Sequence, residues 1–312
     1  ASSLRGLRRD FRSSLRDKPD AAACHLLYSS TIVKSPPETY GNRKTPAFLQ
    51  GLLTHLDTEI REIGLQQAHR NFAENYRVVI ETEYDSTKED VATGMRGGGT
   101  LVVGNHSSEV DLLPLLCSLP DHRDVHIIAT ADRFGIGPHY AEHLLPVYLS
   151  DRALQEGRAW FKWKRMLWPP AAISEQEKRK RNTETLERAT QKLIDGATVV
   201  IFPEGAKGPG SSWEQGIGRI VDGMRDHWDN VQYLQSHISG TRNFLLELFR
   251  LVPPLQRFMP SMHVHFSTPQ NVAEIFQPTS AKDPREITRQ LEQHYRDWLK
   301  NIKEGTARNS HQ

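Results

Sequence analysis

A histidine and an aspartate stand five positions apart in Asn105-His106-Ser107-Ser108-Glu109-Val110-Asp111, just past the apolar run Thr100-Leu101-Val102-Val103-Gly104. That run reads as a buried strand. The spacing lets the two side chains face each other across one turn beyond the strand end. An aspartate that accepts a hydrogen bond from one imidazole nitrogen fixes the tautomer. The other nitrogen is then free to take a proton from a hydroxyl. This is the base-and-orienter half of a catalytic triad, with no protein nucleophile implied. The plainer alternative is a loop histidine followed by an aspartate that caps the next helix.

A second motif, Phe202-Pro203-Glu204-Gly205-Ala206-Lys207-Gly208-Pro209-Gly210, follows another apolar run, Thr198-Val199-Val200-Ile201. A strand that ends in a Gly/Pro-rich loop brings backbone N–H groups and one cation to the carboxyl edge of a sheet. Open α/β sheets bind ligands at that edge. Glycines let the backbone approach an anion closely, and Lys207 adds a point charge.

Together the motifs resemble the glycerol-3-phosphate and lysophosphatidate acyltransferase superfamily. Its first block, Asn-His-x-Ser-x-x-Asp, is matched by Asn105, His106, Ser108 and Asp111, and its third, Phe-Pro-Glu-Gly, by Phe202 to Gly205. A strand ending in arginine, Pro146-Val147-Tyr148-Leu149-Ser150-Asp151-Arg152, resembles the intermediate block. Lys178-Arg179-Lys180-Arg181-Asn182-Thr183 with Leu186, and Ala131-Asp132-Arg133, resemble the soluble plastid glycerol-3-phosphate acyltransferases. The third block is closer to the bacterial lysophosphatidate type. Two departures bear on the acceptor. Ala206 and Lys207 replace the usual Ser/Thr and Arg, so the bidentate fork of arginine is lost. The fourth block, usually a strand with an internal proline, is replaced by polar Gln235-Ser236-His237 within Val231–Arg242.

The resemblance implies transfer of an acyl group from a thioester of acyl carrier protein or coenzyme A to a hydroxyl of glycerol 3-phosphate. Lysophosphatidate or another alcohol is the alternative acceptor. The thioester is already activated, so neither a metal nor an organic cofactor is required. His106 and Asp111 are the implied catalytic pair. Asn105, Ser108, Arg133, Arg152, Glu204, Gly205 and Lys207 are the implied substrate-binding residues, with Arg152 and Lys207 foremost for the phosphate. Backbone N–H groups near the two loops are the expected oxyanion donors.

The chain has 312 residues and a formal net charge of only +2, which gives no sign of a nucleic-acid partner. Its two cysteines, Cys24 and Cys117, read as reduced thiols in a non-oxidising compartment. No signal peptide or membrane span is visible. The apolar runs Leu112–Leu116 and Phe244–Leu255 are short, and Glu247 and Arg250 interrupt the second. A soluble or peripheral membrane protein of plastid stroma or bacterial cytoplasm is the expectation.

The elements that must position these residues follow from periodicity. The first forty residues are basic, and Pro36-Pro37 marks a break. From Thr45-Pro46 the residues Phe48, Leu49, Leu52, Leu53, Leu56, Ile60 and Ile63 share a helical face. Residues 1–75 therefore read as a helical subdomain ahead of an α/β domain of 76–312. Strands are expected at 101–103, 125–129, 147–149, 198–202, 231–234 and 262–266, with helical patterns between several of them. The fold class is thus α/β, a mixed or largely parallel sheet flanked by helices. A last helix opens at Asp283 as N-cap and Pro284, with Glu286 as capping-box acid. Ile287, Leu291, Tyr295, Trp298, Leu299 and Ile302 form its stripe. Trp160, Trp163 and Trp168 alternate with Lys162, Lys164 and Arg165, the composition of a membrane-interface anchor or of a folded loop. Those cations with Lys178–Arg181 would also suit an acidic carrier protein.

Two rival classes remain. His139-Tyr140-Ala141-Glu142-His143 fits the inverted zinc-protease pattern. A non-catalytic lipid or carrier-protein binding module is the other.

Overall fold

Four strands, Gly99–Gly104 (β2), Val125–Thr130 (β3), Leu144–Val147 (β4) and Thr198–Ile201 (β5), are parallel and carry the two motifs at their carboxyl edge. In this computed structural model the described residues are 47–108, 110–122, 124–131, 136–150, 173–205, 210–241, 259–276 and 283–309, with side chains from 50 to 304. They belong to the compact unit Thr39–Gln312. The basic N-terminal stretch, with Cys24, lies outside them.

The remaining strands are Ile80–Tyr84 (β1), Val231–Ser239 (β6), Met262–Phe266 (β7) and Gln270–Asn271 (β8). The eight strands form one mixed sheet of order β1-β7-β6-β2-β5-β3-β4, with β8 paired to β6. β6 runs parallel to β2, whereas β7 runs antiparallel to β6 and parallel to β1. The expected fold class is therefore observed.

The central strands are buried on both faces, so they read as unbroken apolar runs. Leu101, Val103, Val199 and Ile201 enter one core, and Val102 and Val200 the other. The first core is closed by Glu175–Ile194 (α6), Gly216–Gly223 (α7), Val272–Ile275 (α8) and Pro284–Asn309 (α9). Asp283 caps α9 as expected, its Oδ1 accepting from the N–H groups of Arg285 and Glu286 at 2.8 and 2.9 Å. Ile287, Leu291 and Tyr295 are buried, and Trp298 and Leu299 pack beside them.

The second core is closed by Ala47–Ile63 (α1), Leu65–Asn75 (α2), Lys88–Arg96 (α3), Leu112–Ser118 (α4) and Pro138–Glu142 (α5). Helix α2 holds the far end of α4. Gln66 Nε2 donates to the carbonyls of Leu119 and Pro120, and Arg70 donates to those of Cys117 and Leu119. These carbonyls are left over at a helix C-terminus and need donors. Cys117, beneath them, has its thiol pushed up to about 12 by burial, so it is inert.

Beyond the short β8, which was not expected, and β6, which runs on from 234 to Ser239, both edge strands differ from expectation. β4 ends where 147–149 was expected to begin, because Leu144 and Leu145 are the buried residues. Its proline at 146 is tolerated because β4 is an edge strand. The other edge strand, β1, was not expected at all. Glu81 and Glu83 point outward from it, the charged pattern that shields a sheet edge.

Candidate active site

The two motifs become neighbours because β2 and β5 pair directly, with Val103 opposite Ile201. His106 and Phe202 therefore leave the sheet side by side, their rings 5.2 Å apart. Gly104 makes this approach possible. A Cβ there would stand 2.9 Å from Ser236 Oγ and 3.0 Å from the Phe202 ring.

Asp111 is fully buried, and its Oδ2 lies 3.3 Å from His106 Nδ1. Among the described residues Nδ1 has no aligned hydrogen-bond partner. The capping alternative fails, since the Asp111 side chain makes no bond to an N–H of α4. It looks backward instead. Oδ2 accepts from the N–H groups of Ser107 and Ser108 at 2.6 and 2.7 Å. Oδ1 accepts from the Thr241 hydroxyl at 2.6 Å. The turn is thereby wrapped around the carboxylate, which fixes its position before any substrate arrives. Nε2 of His106 is the nitrogen left to meet a hydroxyl.

Asn105 sits where β2 ends but β6 continues. Its Oδ1 accepts from Ile238 N at 2.7 Å, and its Nδ2 donates to Ile238 O at 2.8 Å. The side chain adds one rung to the sheet where the backbone turns away. Nδ2 also donates to Ser107 Oγ at 3.0 Å. Ser108 is buried, its hydroxyl accepting from Val110 N at 3.4 Å.

Glu204 ties the two loops together. Its Oε2 accepts from His106 N at 3.2 Å and its Oε1 from Gly210 N at 2.7 Å. Burial raises its carboxyl above the usual range, against the opposing pull of those two N–H groups. Gly205 turns the chain with φ of 56° and donates its N–H to Phe202 O. Among the described residues of the two loops, the N–H groups of His106, Ser107, Ser108, Gly205 and Gly210 are engaged within the protein. Arg133, Arg152 and Lys207, like Trp160, Trp163 and Trp168, lie outside the described residues.

Sequence reasoning missed Thr241, and its link to Asp111 spans 130 positions. Nothing local marks it. Asn182 was noticed only within a basic run. It clamps the backbone after β4, accepting from Tyr148 N at 2.7 Å and donating to Tyr148 O at 2.9 Å. That basic run is also less available than its composition suggests. Lys178 is buried against Glu175, and Arg181 is paired with Glu177 over the Tyr148 ring.

Residues 78–225 match the family model described as Acyltransferase. This segment, a little under half of the chain, is what the protein shares with that family. The matched segment contains both motif loops, whereas Thr241 and all of α9 lie beyond it. The chain is similar to the solved 1-acyl-sn-glycerophosphate (LPA) acyltransferase PlsC of Thermotoga maritima, at 16% identity and a TM-score of 0.42. That likeness covers 82% of this chain and 90% of the other. No curated protein matches the sequence.

Among the described residues no group of three or more His, Cys, Asp or Glu side chains is arranged to hold a metal ion. Within the zinc-like pattern, His143 Nδ1 is bonded to the Val125 carbonyl at 2.8 Å. No described helix is long and apolar enough to cross a membrane.

Proposed function

We propose that this protein moves a fatty acyl group from a thioester of acyl carrier protein or coenzyme A to a hydroxyl of glycerol 3-phosphate. The observation that carries the reading is the buried, pre-bonded Asp111 carboxylate beside His106 at the carboxyl edge of the sheet. His106 Nε2 takes the proton of the acceptor hydroxyl as that oxygen bonds to the thioester carbon. Asp111 holds the imidazole in place and stabilises the imidazolium. The tetrahedral adduct then collapses, its C–S bond breaks, and the departing thiolate takes the proton from the imidazolium.

Glu204 keeps the two loops in register rather than acting as a second base, since both its oxygens already accept backbone N–H groups. Asn105, Ser108 and Gly205 shape the same floor beneath the substrates. Arg152 and Lys207, with Arg133, are proposed to receive the acceptor phosphate on the strength of the motif resemblance. Trp160, Trp163 and Trp168 are the proposed membrane contact. We also propose that residues 1–75 form a helical subdomain ahead of the α/β domain, a reading supported by α1 and α2, and that the protein works in plastid stroma or bacterial cytoplasm.

The test is thiol release from a long-chain acyl thioester with glycerol 3-phosphate, lysophosphatidate or a phosphate-free alcohol as acceptor, the products identified by mass. Acylated glycerol 3-phosphate is the expected product. A product with lysophosphatidate alone would keep the chemistry and overturn the acceptor. Binding of thioester without transfer to any acceptor would favour a binding module.

A further inference from the structure

The end of β6 holds the Asp111 carboxylate from behind. Oδ2 is spent on the N–H groups of Ser107 and Ser108 and faces His106. Oδ1 accepts a hydrogen bond from the half-buried Thr241 hydroxyl at 2.6 Å. Thr241 reaches it by a turn that only glycine allows. Gly240 has a φ of 77°, and a Cβ there would stand 2.1 Å from the Ser261 carbonyl oxygen. The strand before this turn is fastened to β2 twice more. Asn105 bonds Ile238 through both ends of its amide, and Ser236 Oγ donates to Val103 O at 3.1 Å. From below, Tyr295 of α9 donates its hydroxyl to Ser236 O at 2.8 Å.

We infer that Thr241 is a positioning residue for the His106–Asp111 pair, acting through Oδ1. The inference rests on the reading of His106 as the general base. A carboxylate held at one oxygen pivots about its Cβ–Cγ bond. A hydroxyl donated to the other oxygen stops that pivot and keeps Oδ2 toward Nδ1. Thr241 lies two residues past the end of β6 and outside the segment matched to the family.

Thr241→Val keeps the shape and deletes the donor. It should lower kcat roughly 10- to 100-fold, the range for losing a hydrogen bond to a charged group, with KM for both substrates unchanged. Thr241→Ser should restore most of the rate, and Thr241→Cys, a weaker donor, should fall between. In a His106→Ala background, Thr241→Val should cost nothing further. Independently of turnover, the ring-nitrogen NMR signals of His106 in the substrate-free protein should change in Thr241→Val and return in Thr241→Ser. An unchanged kcat in Thr241→Val, an equal added loss in the His106→Ala background, or unmoved His106 signals would overturn the assignment. If the wild type turns over no thioester, the functional reading fails instead, and the NMR comparison still decides the role of Thr241. Thermal melts exclude unfolding, and Thr241→Cys serves if the valine variant does not fold.

Discussion

Replacing Asn105 by alanine separates a structural role from a substrate-binding one. The side chain is buried and makes paired bonds to the backbone of Ile238. Alanine leaves that N–H and that carbonyl without partners at the junction of β2 and β6. Each orphaned buried group costs about 1–3 kcal/mol, so the variant should lose about 2–6 kcal/mol of stability. In a chain of this size each kcal/mol shifts Tm by roughly 2–4 °C, so the drop should be on the order of 10 °C. The loosened end of β6 leads into Thr241, so kcat should fall as well, while KM for the acceptor stays near the wild-type value. Asn105→Asp is the sharper version, because it places an oxygen against the Ile238 carbonyl at what is now a 2.8 Å donor contact. Thermal melting and steady-state kinetics on the same preparations read both effects. A rise in acceptor KM with an unchanged Tm would refute the reasoning and make Asn105 a substrate ligand.

Gly104→Ala should cost about 1–3 kcal/mol by overpacking, because the new methyl presses on Ser236 and Phe202. The Phe202–His106 contact should loosen, and kcat should fall with it. Gln66→Ala removes two donors to the carbonyls after α4 and one acceptor for His122 N. It should destabilise by about 1–3 kcal/mol in a denaturant titration and leave turnover unchanged, since these groups lie at the far end of α4. For Glu204 the pH dependence has a definite sign. Its folded-state value is raised by burial, so the folded chain binds the extra proton. Its contribution is fully present below the ordinary glutamate value of about 4.3 and is lost as pH rises through the folded value. Denaturation midpoints of wild type and Glu204→Gln should therefore diverge as pH rises through that window, the wild type losing ground. A wild type that gains ground over the same window would contradict this.

The sequence displayed what repeats locally. The strands at 101–103, 125–129 and 198–202 were legible because strands buried on both faces are largely continuous apolar runs, and 262–266 because its buried apolar residues alternate with half-buried histidines. Both edges were harder. β1 alternates charged and half-buried residues, and β4 carries Pro146, so neither resembles a central strand. At the site, His106 and Asp111 were legible because their chemistry depends on a short spacing. The adjacency of Glu204 to His106 followed from two strand-end loops once β2 and β5 paired. Thr241 and the structural use of Asn105 were not legible. Each depends on a contact more than a hundred positions away, set by where β6 lies in the sheet. Gln66 and Arg70 were passed over for the same reason, since helix-end carbonyls carry no mark in the sequence.

The central claim is that His106, oriented by Asp111, is the base of an acyl transfer. The most direct measurement is acyl-thioester turnover in the presence of glycerol 3-phosphate by the wild type, His106→Ala and Asp111→Asn, each shown folded by its melting curve. The account predicts acceptor-dependent turnover in the wild type and a loss of roughly 10²- to 10⁴-fold in His106→Ala, with Asp111→Asn also severely impaired. A folded His106→Ala protein that transfers acyl groups at the wild-type rate would contradict it.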